Sequence, residues 1–485
     1  MPIDAFRRFA KDRHGNVVLF FGLTAIPLVL AVGMAIDYGN NARKWSRMNA
    51  AADAAALAAV TPSMMMASDD NARTAAQKLF AGNIAEITDI IPTSVKLDVS
   101  ISNAGLTRTA TVSYSARVKN IFGGILGLEA MSVSGRARAN GSTPPNVDFY
   151  LLLDTSPSMA IPAAQAGIST MIANTPKQTD GSTKGCAFAC HQYNPSPDNL
   201  GNPGGVDNYA LARNLGLRLR IDEVGSAASA MVNSAIPTMS QNASNYGWTP
   251  TYRIAVNTFD VSFNSLYSLT SNLSALRSTL SANPSPIQVY QVYSNNNICT
   301  SIKNGACKSF SANNDTDTNI DAALAALNTS SSANYIPNPG TGAKGSNPAE
   351  VLMIVTDGVE DQLVGSITAG LSLSIPGGYR QQAPIAANSK VPSAIACAAI
   401  KARGIKIAVL YTTYYPLDNG NAGSWYDKYI YPFQPGGISG DQIGTALKNN
   451  CASPGLFYQV NVGEDISAAL VNLFQLTLQS SRLTQ

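Results

Sequence analysis

The hydrophobic pattern changes character three times along the chain. From Val17 to Ile36 twenty residues run without a charge (VVLFFGLTAIPLVLAVGMAI). A helix rising ~1.5 Å per residue over that length spans ~30 Å, the apolar thickness of one bilayer. Pro27 within the run is tolerated by membrane helices. A cleaved signal peptide is the rival reading, but its apolar core usually covers ~7–15 residues and ends at small residues. Here the run is longer and Asp37-Tyr38-Gly39 follows it. The expected arrangement is a basic cytoplasmic flank at 1–16 and a retained transmembrane helix at 17–36.

The second pattern covers 37–140. Its start is alanine-rich (Asn49 to Ala59), and alanine has the best helix propensity. A helix continuing out of the membrane is expected, either packed closely on a neighbour or merely solvated. A second helix is expected around Asn71 to Ala81. Val95, Leu97, Val99 and Ile101 then alternate with polar residues, as do Val112, Tyr114, Ala116 and Val118. Two such period-two runs around Asn103-Ala104-Gly105 predict a hairpin, with another strand starting near Met131. Together they make a small α+β module, and Asn140 to Pro145 reads as a linker.

The third pattern covers 146–485. Val147 to Leu153 and Val351 to Val355 are almost unbroken apolar runs, and 253–259 and 405–411 are similar. Such runs read as strands buried on both faces. Alternating with helical stretches, they predict an α/β fold, a doubly wound parallel sheet. A long helix is expected from Tyr209 to Ala235, with a last strand at 457–460 and a last helix at 466–478. Residues 174–208 and 416–440, rich in Asn, Pro, Gly, Ser or Tyr, read as surface insertions.

Composition narrows the setting. Charged residues are 13% of 485, against ~25% in ordinary soluble domains, which suits an extracytoplasmic protein. A net charge of +3 without basic runs beyond the N-terminal flank gives no footprint for nucleic acid. Basic residues flank the span on both sides (Arg7, Arg8, Lys11 and Arg13 before it, Arg43, Lys44 and Arg47 after), so orientation rests on the cysteines. The six are read as three disulfides between near neighbours, Cys186–Cys190, Cys299–Cys307 and Cys397–Cys451, although six cysteines permit 15 connectivities. Disulfides persist in oxidising compartments, which places everything after the span outside.

The candidate chemistry sits where the first long apolar run ends, at Asp154-Thr155-Ser156-Pro157-Ser158. Side chains two apart point the same way in extended chain, so Asp154, Ser156 and Ser158 present one carboxylate and two hydroxyls together. The carboxyl end of such a strand is where ligands bind in an open α/β sheet. Oxygen-only donors suit a hard cation, Mg²⁺ first, with Mn²⁺ or Ca²⁺ as alternatives. A second buried-type strand ends at Thr356-Asp357-Gly358, and Thr318 stands at a helix entrance, with Thr316 its competitor.

A D-x-S-x-S, then a Thr, then an Asp after a later strand resembles the metal-ion-dependent adhesion site of von Willebrand factor A domains. That resemblance implies that Asp154, Ser156, Ser158, Thr318 and Asp357 surround an ion whose shell a partner's carboxylate completes. The basic flank, the proline-containing span, Ala35-Ile36-Asp37-Tyr38-Gly39 and the alanine-rich run are similar to the start of TadE/TadG-like proteins, which accompany Tad (Flp-type) pilus assembly in bacteria. Prepilins carry a Glu five positions after a cleaved Gly; counted from Gly15, that position is Phe20, a departure from their pattern.

Only two histidines occur, His14 and His191, and no G-x-S-x-G elbow, phosphate loop or dinucleotide fingerprint is present, so no enzyme chemistry is expected. Cys186-Ala-Phe-Ala-Cys190-His191 has one residue more than a haem-attachment motif. The expectation is a bacterial inner-membrane protein, single-pass, with its bulk periplasmic or extracellular, that binds a protein partner through the ion during assembly or anchoring of Tad pili among the pilus assembly components. A surface adhesin using the same ion on an external ligand, and a scaffold with a vestigial site, are the alternatives.

Overall fold

The computed structural model describes residues 16–483 except 177–184, 188–190, 193–207, 290–291, 294–298, 304–305, 311–317, 376–377, 415–416, 418–425, 427–429, 435, 438–439 and 462. The chain forms two compact units, essentially residues 1–143 and 144–484.

In the first unit, helix α1 (Asn16–Ala58) runs unbroken through the apolar stretch and the alanine-rich one. It is long and apolar enough to cross a membrane. Its last turns bury Met48, Ala51, Ala52, Ala55 and Ala56, a three-and-four spacing that forms one stripe. The stripe packs with Ala72, Ala76 and Phe80 of helix α2 (Asp69–Ala85) and with a three-stranded sheet. Small side chains allow the backbones to approach, so packing within the chain is the observed alternative. The sheet is an antiparallel meander of β1 (Lys96–Ala104), β2 (Thr107–Lys119) and β3 (Ala130–Ser142). Val112, Tyr114, Ala116 and Val118 point inward at period two. Strand β3 takes in Asn140 to Ser142, so the expected linker shortens.

The second unit follows in chain order as β4 (Val147–Asp154), α3 (Gln165–Asn174), α4 (Arg220–Tyr246), β5 (Tyr252–Phe259), β6 (Phe263–Thr270), α5 (Leu273–Leu280) and α6 (Ile320–Asn328). Next come β7 (Ala349–Thr356), β8 (Val359–Val364), β9 (Leu371–Ile375), β10 (Gly378–Pro384), α7 (Pro392–Ala402), β11 (Lys406–Thr412), β12 (Phe457–Val460) and α8 (Ile466–Leu483). The main sheet has the order β12-β11-β7-β4-β5-β6, parallel throughout except for edge strand β6. Numbered by chain position this is 6-5-4-1-2-3, the doubly wound order that reverses between β4 and β7. All of β4 is buried. Phe149, Leu151 and Leu153 face the core shared with α4 and α8, and Tyr150 and Leu152 face that shared with α6 and α7. Strands β8, β10 and β9 form a separate antiparallel sheet.

The expected helix from Tyr209 to Ala235 is two helices, Asn208–Asn214 and α4. Gly216 takes a left-handed conformation (φ 68°), which glycine adopts without the steric cost of a Cβ and which stops a helix. The Leu217 N–H closes the turn on the Ala212 carbonyl. Leu219 therefore precedes α4. The Cys397–Cys451 disulfide is present and ties α7 to the segment before β12. Cys190 and the side chains of Cys299 and Cys307 lie outside the described residues, and so do most of 174–208 and 416–440.

Candidate metal centre

The strand order reverses between β4 and β7; β4 ends there in Asp154, and Asp357 directly follows the last residue of β7. Asp154 is fully buried. Its Oδ1 accepts from the Ser156 N–H (3.0 Å) and the Ser156 hydroxyl (2.6 Å), and its Oδ2 accepts from the Thr356 hydroxyl (2.7 Å). The Ser156 and Ser158 hydroxyls lie 3.0 Å apart. The three residues read from the alternation thus converge, held in place because the Thr155 N–H donates to the Phe259 carbonyl of β5. Thr356 joins them. Sequence reasoning passed over it, although its position as the last strand residue before Asp357 was the available signal.

Asp357 is also fully buried; the Tyr414 phenol approaches its carboxylate, but neither oxygen accepts a hydrogen bond of full geometry. The chain turns sharply behind it, since Gly358 has φ 86° and a Cβ there would meet Ile443 at 2.3 Å. The nearest cation is Arg220, whose Nη1 stands 3.9 Å from Asp357 Oδ2 and makes no hydrogen bond. Its Nη2 donates to the carbonyls of Thr412 and Thr413 and to the Thr412 hydroxyl, and the guanidinium lies 4.7 Å over the Tyr414 ring. Neither Arg220 nor Tyr414 belongs to a motif, because α4 and the end of β11 bring them in from distant sequence. Burial, and then the Asp357 charge, push the Asp154 carboxyl up to about 7. Burial likewise, again with the Asp357 charge, raises the Tyr414 phenol.

Thr318 is buried, and its backbone exchanges two 3.0 Å hydrogen bonds with Asp361 of β8. The next residue, Asn319, donates to the Asp260 carbonyl just beyond β5 and caps α6 by accepting from Ala322. Residues 318–319 therefore connect β8, which follows β7 in the chain, to the end of β5, which flanks β4. Thr316 lies outside the described residues.

Two buried carboxylates close together, of which only Asp357 has a guanidinium beside it, form a costly arrangement unless a further positive charge completes it. The donor set of Asp154, Ser156, Ser158, Thr318 and Asp357, with Thr356 beside it, is all oxygen and matches a hard divalent ion. Among the described residues no three His, Cys, Asp or Glu side chains converge, so an ion here would draw on hydroxyls and water as much as on carboxylates.

Residues 15–77 match the family described as "Putative Flp pilus-assembly TadE/G-like". None of the curated proteins matches the chain. Among solved structures, the chain is similar to the pilus adhesin SpaC from Lactobacillus rhamnosus GG (13% identity, 80% of this chain and 35% of that one, TM-score 0.30). It is also similar to the PilB minor pilin from Streptococcus sanguinis (10%, 81% and 79%, TM-score 0.34). A third is the vWF domain of the type V pili tip protein Mfa5 from Porphyromonas gingivalis (11%, 70% and 97%, TM-score 0.31). The chain spans about a third of SpaC. A region that matches the TadE/G-like family is joined here to a doubly wound α/β domain.

Proposed function

We propose that this protein binds a protein partner through a divalent cation held at the β4–β7 rim, during assembly or anchoring of a Tad-type pilus. Asp154, Ser156, Ser158, Thr318 and Asp357 hold the ion, which is Mg²⁺ or, in its place, Mn²⁺ or Ca²⁺. With few direct carboxylates the ion stays electrophilic, so an acidic side chain of the partner gains by completing its shell. The observation that carries this reading is Asp357, a fully buried carboxylate with two unused oxygens beside a second buried carboxylate. Helix α1 anchors the chain in the inner membrane, and the bulk lies outside the cytoplasm, where a Cys397–Cys451 bond persists. The matched TadE/G-like region supports the pilus setting.

Thermal unfolding of the full chain in detergent, titrated with Mg²⁺ or Mn²⁺, tests this. A ligand at a hundredfold excess over Kd stabilises the folded state by about 2.7 kcal/mol. The melting temperature rises with the ion in the native chain, and Asp154→Ala abolishes the rise. No rise in the native chain would refute the metal reading.

A further inference from the structure

The connection between β2 and β3 holds nine uncharged residues, Asn120 to Leu128, between Lys119 and Glu129. Five of them are large and apolar, and all five are exposed: Ile121, Phe122, Ile125 (74%), Leu126 and Leu128 (58%). Single exposed apolar residues are ordinary, but a contiguous cluster marks a contact surface.

The loop's location identifies the contact. Asp37, the first charged residue after the apolar span, is buried, and its carboxylate accepts the backbone N–H groups of Ile121 (2.8 Å), Phe122 (2.9 Å) and Gly123 (2.6 Å). Asn41, one turn further, donates to Asn120 (2.9 Å). Below Asp37 the Phe122 side chain lies against Gly33, where a Cβ would meet it at 2.8 Å. Gly33 lies three residues inside the end of the span, about 4.5 Å along the helix. The loop therefore descends beside the last turn of the apolar span, at a level where the exposed residues Val32, Met34 and Ile36 of α1 face the same surroundings.

We infer that the Ile121–Leu128 loop inserts into the lipid leaflet beside α1, as a second, non-spanning membrane contact. The inference rests on reading α1 as a membrane span, and lipid is the occupant because the loop's apolar surface is continuous with that of the span. Three fixed N–H donors satisfy the Asp37 carboxylate at the bilayer edge, where water is scarce. Lys119 at the loop's base and exposed Tyr38 beside Asp37 stand where cationic and aromatic side chains favour the headgroup layer. Helix α1 and the sheet are thereby gripped at two points, so the first unit is held upright on the membrane.

The test uses the full chain reconstituted in vesicles of phosphatidylethanolamine and phosphatidylglycerol, with and without acyl-brominated phosphatidylcholine. Ile125→Trp places a reporter in the loop, and Ala104→Trp places one at the end of β1, beside the turn at the other end of the sheet. Emission of the native tryptophans is subtracted. The Ile125→Trp signal is expected to be blue-shifted and lost to brominated lipid, and the Ala104→Trp signal to be neither. A red, unquenched Ile125→Trp signal in chains that float with the vesicles overturns the loop inference and leaves the span intact. A blue-shifted signal that brominated lipid does not quench means that protein covers the loop, and overturns it too. Chains that fail to float overturn the span, and the loop inference with it.

Discussion

Glu350, hydrogen-bonded to Tyr150 but with one oxygen unpartnered, shows what an incompletely satisfied carboxylate does in this fold when no ion is at issue. It sits opposite Asp148 where β7 pairs with β4, far from the rim, and its Oε2 has no hydrogen-bond partner. Arg253 donates to both oxygens of Asp148, so Glu350 is left facing a carboxylate. Burial, and then the Asp148 charge, push its carboxyl from near 4.5 up to about 8. A folded state that holds this proton longer than the unfolded chain loses stability as pH rises through that interval. Glu350→Gln is therefore expected to flatten the fall in melting temperature between pH ~5 and ~8, followed by calorimetry; an unchanged slope would assign the dependence elsewhere. At the rim, Asp154, Ser156 and Ser158 were legible because period-two alternation brings them together within one segment. Asp357 was legible because it ends a second apolar run. Thr356 shares that segment, yet it was read only as a strand residue. Arg220 and Tyr414 were not legible, since their nearness to Asp357 depends on how α4 and β11 pack.

Elements show where local pattern suffices. The β1–β2 hairpin and its inward residues followed from alternation, and Gly105 at φ 56° makes the turn. The helix expected from Tyr209 to Ala235 failed at Gly216 because an apolar spacing can continue across a break that a single left-handed residue imposes. The Cys397–Cys451 bond closes a separation of 54 residues, for which chain entropy gives about 4 kcal/mol. The double substitution Cys397→Ala/Cys451→Ala is expected to lower unfolding stability by that order, measured in denaturant; a loss well under 1 kcal/mol would show that the unfolded chain is little constrained by the bond. In the sequence Asp37 is simply the first charge after the apolar span. Its role as acceptor for the β2–β3 loop arises between segments 84 to 86 residues apart. Asp37→Ala leaves three N–H groups without their acceptor and is expected to cost about 1–3 kcal/mol. Hydrogen exchange should speed up at residues 121–123 and not in β2 generally.

For the whole molecule, two cores matter. The first unit is held by the alanine stripe of α1, α2 and the meander, and the second by the two faces of the doubly wound sheet. The alternation of period-two runs with long apolar runs made that division readable in the sequence. What it could not give was which strands lie side by side, and the rim exists only because β4 and β7 are neighbours. An ion bound there is expected to slow hydrogen exchange in peptides from residues 144–484 and to leave those from α2 and β1–β3 unchanged.

The proposed divalent-cation site at the Asp154–Asp357 pair is tested most directly by Asp357→Asn. With Mg²⁺ removed, this substitution deletes a buried charge without a hydrogen bond, so the melting temperature is expected to stay level or rise. With Mg²⁺ added, the native chain gains stability and the variant does not. A variant that melts lower without the ion, or one that responds to Mg²⁺ as the native chain does, would contradict it.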